Sequence, residues 1–272
     1  ASSGLPVSFS SSNIAIARVD GNTLTVFSAG TVIITASQPG NETFNSAADV
    51  PRILTINTVP EVTASDAVIC SGQATNVQLY ANTGGTAFSW YVQRAGNVSG
   101  AVSGSGEIIN QTLYNNSSLP DSVIYTIVPV AKGCSGHPTE VTIAVKPLPD
   151  VYVNDATICS GDTAHIPLLS AFPETSFIWI VENAVNVVNA TPGSGTSIEQ
   201  ILTNTTSSSG RALYAVTPVS EGCAGMPVHL TITVNPLPRV NTTSKTICSQ
   251  QSTSITLTSN IQEASFSWVV SN

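Results

Sequence analysis

The residues of this chain with the most chemistry in them are five cysteines and three histidines, and their spacing sets the two groups apart. Cys70, Cys159 and Cys248 stand 89 residues apart, and so do Cys134 and Cys223, whereas His137, His165 and His229 follow no period. A zinc site built from both residue types would repeat both, and no Cys-x-x-Cys occurs, so metal ligation is not expected. Thiols held 64 apart in each complete copy read instead as disulfides, which places the chain in an oxidising compartment. Catalysis needs an acid, a base or a nucleophile brought together. The carboxylates here are thinly spread, and no G-x-S-x-G, H-E-x-x-H or phosphate-loop string is present. The expectation is a protein that is not an enzyme and carries no cofactor. Asp66 and Asp155 do recur, just before the first cysteine of each copy, where a turn-shaping role is expected.

The period organises the whole chain. Residues 60–148 lie over 149–237 without a gap and agree at 37 of 89 positions. Pro60, Pro149 and Pro238 open successive copies, each after a short joint: NTVP, KPLP and NPLP. Proline fixes φ and lacks an N–H, so such joints are stiff, extended spacers. The expected domains are 1–57, a partial β-domain of different text; 60–148 and 149–237, two full repeats; and 238–272, the start of a third. The partner of Cys248 would fall at 312. Charged residues make up 9% of the chain, against about 25% in an average domain. With a net charge of -8 and eight scattered Lys plus Arg, no basic stripe is available to neutralise phosphates, and nucleic acid is not an expected partner. No apolar run approaches the roughly 18 residues of a membrane span. The opening ASSGLPVSFS has no signal-peptide pattern and reads as the middle of a longer polypeptide.

Period-2 alternation marks the strands: Phe88, Trp90 and Val92, then Val123, Tyr125 and Ile127, then Val141, Ile143 and Val145, each pattern kept in the second copy. About seven short strands per repeat, a Trp twenty positions after the first Cys and a Tyr nine before the second predict an immunoglobulin-like sandwich. The expected class is all-β: tandem sandwiches arranged end to end. Phe88, Trp90 and Tyr125, with Phe177, Trp179 and Tyr214 and then Trp268, are expected in the cores, and the two tyrosines are expected to send their hydroxyls back to the backbone. Within 1–57, Asp20-Gly21-Asn22 predicts a hairpin and Thr31 to Thr35 a further strand; first strands missing from this domain are expected, because 57 residues are few for two layers.

The string ICSG, FSW, GSG, YTIVP, KGCSG and KPLP resembles the PKD-like and Ig-like tandem repeats of giant cell-surface proteins of the Bacteroidota. Residues 1–57, with GNTLTV and AGTVIITASQPGN, are similar to a bacterial Ig-like domain found beside them. The resemblance implies a stalk in a secreted adhesin, of the kind exported by the type IX route and used in gliding motility, located outside the cell. The alternative is a carbohydrate- or protein-binding module, or a spacer within a secreted polysaccharide hydrolase. Implied partners are neighbouring domains of the same chain, surface polysaccharide or other surface proteins. Asp121-Ser122-Val123 and Asp162-Thr163-Ala164 match the short O-glycosylation signal that accompanies the resemblance.

Two disulfide schemes remain open. Pairing within each repeat, Cys70 with Cys134 and Cys159 with Cys223, leaves only Cys248 unpaired by truncation and is the expected scheme. Immunoglobulin strand order nevertheless puts the two cysteines of a repeat at opposite ends, about 20 Å apart, where a bridge tolerates about 7 Å between Cα atoms. The alternative joins Cys70 of one repeat to Cys223 of the next.

Overall fold

The computed structural model describes residues 2–271. The protein is all-β, with no helix among the described residues, and forms two compact units, Ala1–Asn116 with Pro120–Val145 and Ser117–Leu119 with Lys146–Asn272.

In the first unit, the segment before the repeats contains a three-stranded antiparallel sheet in the order Ser8–Ser11, Gly30–Ser37, Val50–Ile56. Beside it stands the hairpin Ala17–Asp20/Thr23–Val26, closed through Gly21 at a φ of 58°. Its core is small, centred on Ala17 and Val32, while Ile14, Phe27 and Ile53 stay exposed.

Each full repeat is a sandwich. The larger sheet of the second repeat runs Ala156–Cys159, Val228–Asn235, Gly210–Ser220, Ser176–Val185, Gly193–Gly195. We call these the first, last, central, tryptophan and glycine strands; their counterparts in the first repeat are Ala67–Cys70, Thr139–Lys146, Asp121–Ala131, Ala87–Arg94 and Gly104–Ser105, in the same order. Short pairs make the facing layer: Val77–Gln78 with Ile108–Ile109 and Val98–Ser99 with Tyr114–Asn115 in one repeat, and Thr163–Pro167 with Ser197–Ile201 and Val187–Val188 with Thr203–Asn204 in the other. Alternation along the strands sends Val123, Tyr125, Ile127, Val141, Ile143 and Val145 into one core, and Ala212, Tyr214, Val216, Leu230, Ile232 and Val234 into the other, all essentially inaccessible. The tryptophan strand carries a register shift at the same place in both copies, between Val92 and Arg94 and between Val181 and Asn183.

Phe88, Trp90 and Tyr125 are buried in the first core, and Phe177, Trp179 and Tyr214 in the second. Each indole lies flat on a glycine of the neighbouring strand: a Cβ at Gly104 would come within 2.8 Å of Trp90, and one at Gly193 within 2.6 Å of Trp179. Trp268 departs from the expectation, being 77% exposed. Trp179 is covered by the central strand, where it pairs with Val216, and residues 238–272 contain no counterpart of that strand.

The tyrosines also differ from expectation. Their hydroxyls donate to side chains, Tyr125 to Gln111 Oε1 and Tyr214 to Gln200 Oε1, both at 2.8 Å. Each glutamine then clamps one backbone residue, accepting from its N–H and donating to its carbonyl: Val102 at 2.9 and 2.7 Å, Thr191 at 3.1 and 2.7 Å. The same carbonyls accept from Trp90 Nε1 and Trp179 Nε1 at 3.2 Å. A buried phenol and a buried indole thus share one polar anchor, which satisfies the donors of both rings.

Candidate functional site: the two ends of each repeat

The trailing end of a repeat is built by its first cysteine and the three residues after it. In Cys70-Ser71-Gly72-Gln73 the Gln73 amide donates to the Cys70 carbonyl at 3.0 Å; the Asp162 amide does the same to Cys159 at 3.1 Å, and that of Gln251 to Cys248 at 3.2 Å. The third position of the turn needs positive φ, and Gly72 (85°) and Gly161 (92°) supply it without a steric penalty. Gln250 occupies the same place at 71° in the third copy. The fourth residue caps the turn: Gln73 Oε1, Asp162 Oδ2 and Gln251 Oε1 accept from the cysteine N–H at 3.0, 3.3 and 3.3 Å. Ser71 and Ser160 accept from the amides of Asn115 and Asn204 across the sandwich, at 3.0 and 2.9 Å. The recurring ICSG text is therefore a turn that ties the first strand to the facing layer.

The leading end is a tight hairpin between central and last strands. Lys132-Gly133 and Glu221-Gly222 form its two-residue loops, all four at positive φ between 48° and 83°, as a mirror-type hairpin turn requires. Cys134 and Cys223 follow directly. The incoming joint is seated against this hairpin. Pro60 and Pro149 are buried, and a Cβ on Gly136 or Gly225 would sit 1.9 Å from their carbonyl oxygens. Three residues before each proline a side chain donates to the loop: Asn57 Nδ2 to the Lys132 carbonyl at 3.2 Å, and Lys146 Nζ to the Glu221 carbonyl at 3.0 Å. Lys146 also forms an ion pair with Glu221 at 3.2 Å, a modest contribution in a solvent-accessible place.

The cysteines correct the expected pairing. Cys134, Cys159 and Cys248 are free thiols, while Cys70 and Cys223 are disulfide-bonded. Neither Cys70 with Cys134 nor Cys159 with Cys223 is formed, and strand direction gives the reason. The first strand runs parallel to the last, with Cys159 opposite Asn235 at the trailing end, whereas Cys223 lies opposite Ser220 at the leading end. The central strand spans the distance between them, about 30 Å for ten residues at roughly 3.3 Å each, far beyond what a disulfide bridges.

Two recurring carboxylates tie the first strand to the last. Asp66 Oδ1 and Asp155 Oδ1 accept from the amides of Thr142 and Thr231 on the last strand, at 2.8 Å. Val123 and Ala164, the final residues of the two glycosylation-like triplets, are buried, and Asp162 is the turn cap already described. Hydrogen bonds from the Asn97 and Ser122 backbone hold the Asp121 carboxyl below its usual range. Burial pushes the Tyr125 and Tyr214 hydroxyls up to about 12, which leaves them protonated at neutral pH. His165 faces Glu199 at 3.7 Å and His229 faces Glu182 at 3.1 Å, both on the surface. Among the described residues no three His, Cys, Asp or Glu gather as a metal site, and no helix is long and apolar enough to cross a membrane.

Solved structures similar to the chain include a three-immunoglobulin segment of titin in a Glu-to-Ala variant (14% identity, 85% of this chain and 88% of that one, TM-score 0.39). Protocadherin gamma B2 extracellular cadherin domains 3–6 (13%, 85% and 67%, 0.31) and the human desmocollin-1 ectodomain (10%, 88% and 57%, 0.34) are also similar. No curated protein matches. The family model for the PKD-like domain matches twice, over 67–149 and 156–238, and the chain, with its two sandwiches and their repeated cysteine turns, belongs to the PKD-like domain family.

Proposed function

We propose that the chain is a non-catalytic stalk segment of a large secreted cell-surface adhesin, its domains 1–57, 60–148, 149–237 and 238–272 set end to end so as to present a distal binding region. The observation that carries this reading is the joint. In both repeats the incoming proline is buried against the repeat's own hairpin, under Gly136 or Gly225, and a side-chain donor at the same offset is bonded to the hairpin loop. A connector held by the domain it enters works as a spacer of fixed direction rather than as a tether. Disulfide-bonded Cys70 and Cys223 fit an extracellular location. The resemblance of the repeat text to Bacteroidota surface proteins supports export by the type IX route and a role in gliding adhesion. Antibodies raised against residues 60–237 test the proposal on cells of the source organism. Labelling of intact cells is expected; labelling that appears only after permeabilisation would rule the stalk out.

A further inference from the structure

We infer that the first repeat carries an open strand edge, at Asn76 and Gln78, that takes up an extended segment of another polypeptide by β-strand addition. The site lies within one compact unit and goes beyond the stalk reading, on which it does not depend.

The edge follows from the register of the facing layer. Thr75 N–H donates to the Gln111 carbonyl at 3.0 Å and Leu79 N–H to the Glu107 carbonyl at 2.9 Å, and Val77 stands opposite Ile109 between them. In an antiparallel pair, hydrogen-bonded residues alternate with residues whose N–H and C=O point away. Thr75, Val77 and Leu79 are the bonded set, so the backbone groups of the exposed Asn76 and Gln78 turn to the strand's other side. Further along, that side is covered: Asn82 N–H donates to the Glu61 carbonyl at 3.3 Å, and Tyr80 pairs with Thr63. Beyond Thr63 the covering segment leaves. Asp66 Oδ1 accepts from the Thr142 amide at 2.8 Å, and Ala67–Cys70 joins the larger sheet. Had the pairing run on, Ser65 and Ala67 would stand opposite Gln78 and Asn76. Their departure opens a groove of about 400 Å³, lined by Ala64, Asp66, Ala67, Asn76, Gln78 and Tyr80.

The second repeat differs at this edge by one residue type. Leu168 N–H donates to the Thr196 carbonyl at 3.0 Å and Ile166 stands opposite Ile198, so Pro167, at the place of Gln78, faces the open side. Proline has no N–H to donate, and it commonly blunts a sheet edge. One repeat closes the edge by residue type; the other leaves it able to pair.

Main-chain bonds to Asn76 and Gln78 supply affinity, and the alternate side chains of the incoming strand supply selectivity. Its inward positions meet Ala64 and Ala67, small residues packed against the core, which suits β-branched apolar side chains. Its outward positions lie beside Tyr80, which is 63% exposed, and the Asp66 carboxylate. In a chain of net charge -8, a lysine or arginine beside Asp66 is the matching group. The partner is an extended segment of alternating β-branched residues that carries a cation.

A synthetic peptide of alternating valine and threonine with a terminal lysine, added to the 272-residue chain, tests the site. Amide hydrogen exchange followed by NMR should slow by about tenfold or more at Asn76 and Gln78 and stay unchanged at His165, beside Pro167. Gln78→Pro, which copies the second repeat, should weaken binding in titration calorimetry by about tenfold, the effect of roughly one main-chain hydrogen bond. Its melting curve should match the parent's, because that N–H points away from Ile108. Unchanged exchange at Asn76 and Gln78 in millimolar peptide, or equal binding by parent and variant, would overturn the site. Protection of the two amides that grows with chain concentration in the absence of peptide would give the edge to a second copy of the chain and overturn the peptide reading.

Discussion

Reduction of the oxidised chain lowers its melting temperature by about 15 °C or more. Cys70 and Cys223 are disulfide-bonded, and a disulfide typically stabilises a fold by about 2–4 kcal/mol, chiefly by restricting the unfolded chain. One kcal/mol moves the midpoint of a domain of 60–100 residues by about 4–8 °C, so a loss of about 3 kcal/mol corresponds to about 15 °C. Differential scanning calorimetry with and without reductant checks it. Variants sort the two pairing schemes. Cys70→Ser and Cys223→Ser should each reproduce the reduced curve in the absence of reductant. Cys134→Ser and Cys159→Ser should stay within about 0.5 kcal/mol of the parent, since both thiols are free. Equal losses in all four variants would restore pairing within repeats.

The second large effect is in the core. Trp179→Ala should destabilise the second repeat by about 3–5 kcal/mol, the usual cost of emptying an aromatic site. The indole is 7% exposed, lies on the bare face of Gly193, and donates to the Thr191 carbonyl that Gln200 also holds. Because Tyr214 and Gln200 fix that anchor from the other side, the site has little freedom to collapse into the cavity. Trp268→Ala, at the corresponding position of the third copy, should cost no more than about 0.5 kcal/mol, because its side chain already faces solvent. Urea titrations followed by circular dichroism distinguish the two; a comparable loss at both positions would show that Trp268 is covered.

Much of this was legible because the repeat doubled every signal. The period, the proline joints and the alternation of Val123, Tyr125 and Ile127 led to tandem sandwiches. Other features depend on a third dimension that a one-dimensional period does not contain. Counting unpaired thiols favours pairing within a repeat, while strand direction puts Cys159 and Cys223 at opposite ends; the geometric term decides, because no flexibility of a packed sheet closes about 30 Å. Gln111 and Gln200 were visible as an identity between copies, and a buried tyrosine needs an acceptor. Their role becomes readable only once Tyr125 and Tyr214 are known to face them. The joint contacts left no trace in residue type at all. Asn57 and Lys146 share nothing but a side-chain donor, and what they bind is a carbonyl, which every residue has.

Single-file order of the β-units is the claim on which the proposed stalk depends, and small-angle X-ray scattering of the oxidised chain tests it most directly. Units about as long as an 11-residue strand, roughly 36 Å each, set in a row give a particle of roughly 120 Å with a radius of gyration of about 35 Å. A value near 19 Å, that of a compact globule of the same length, would contradict the account.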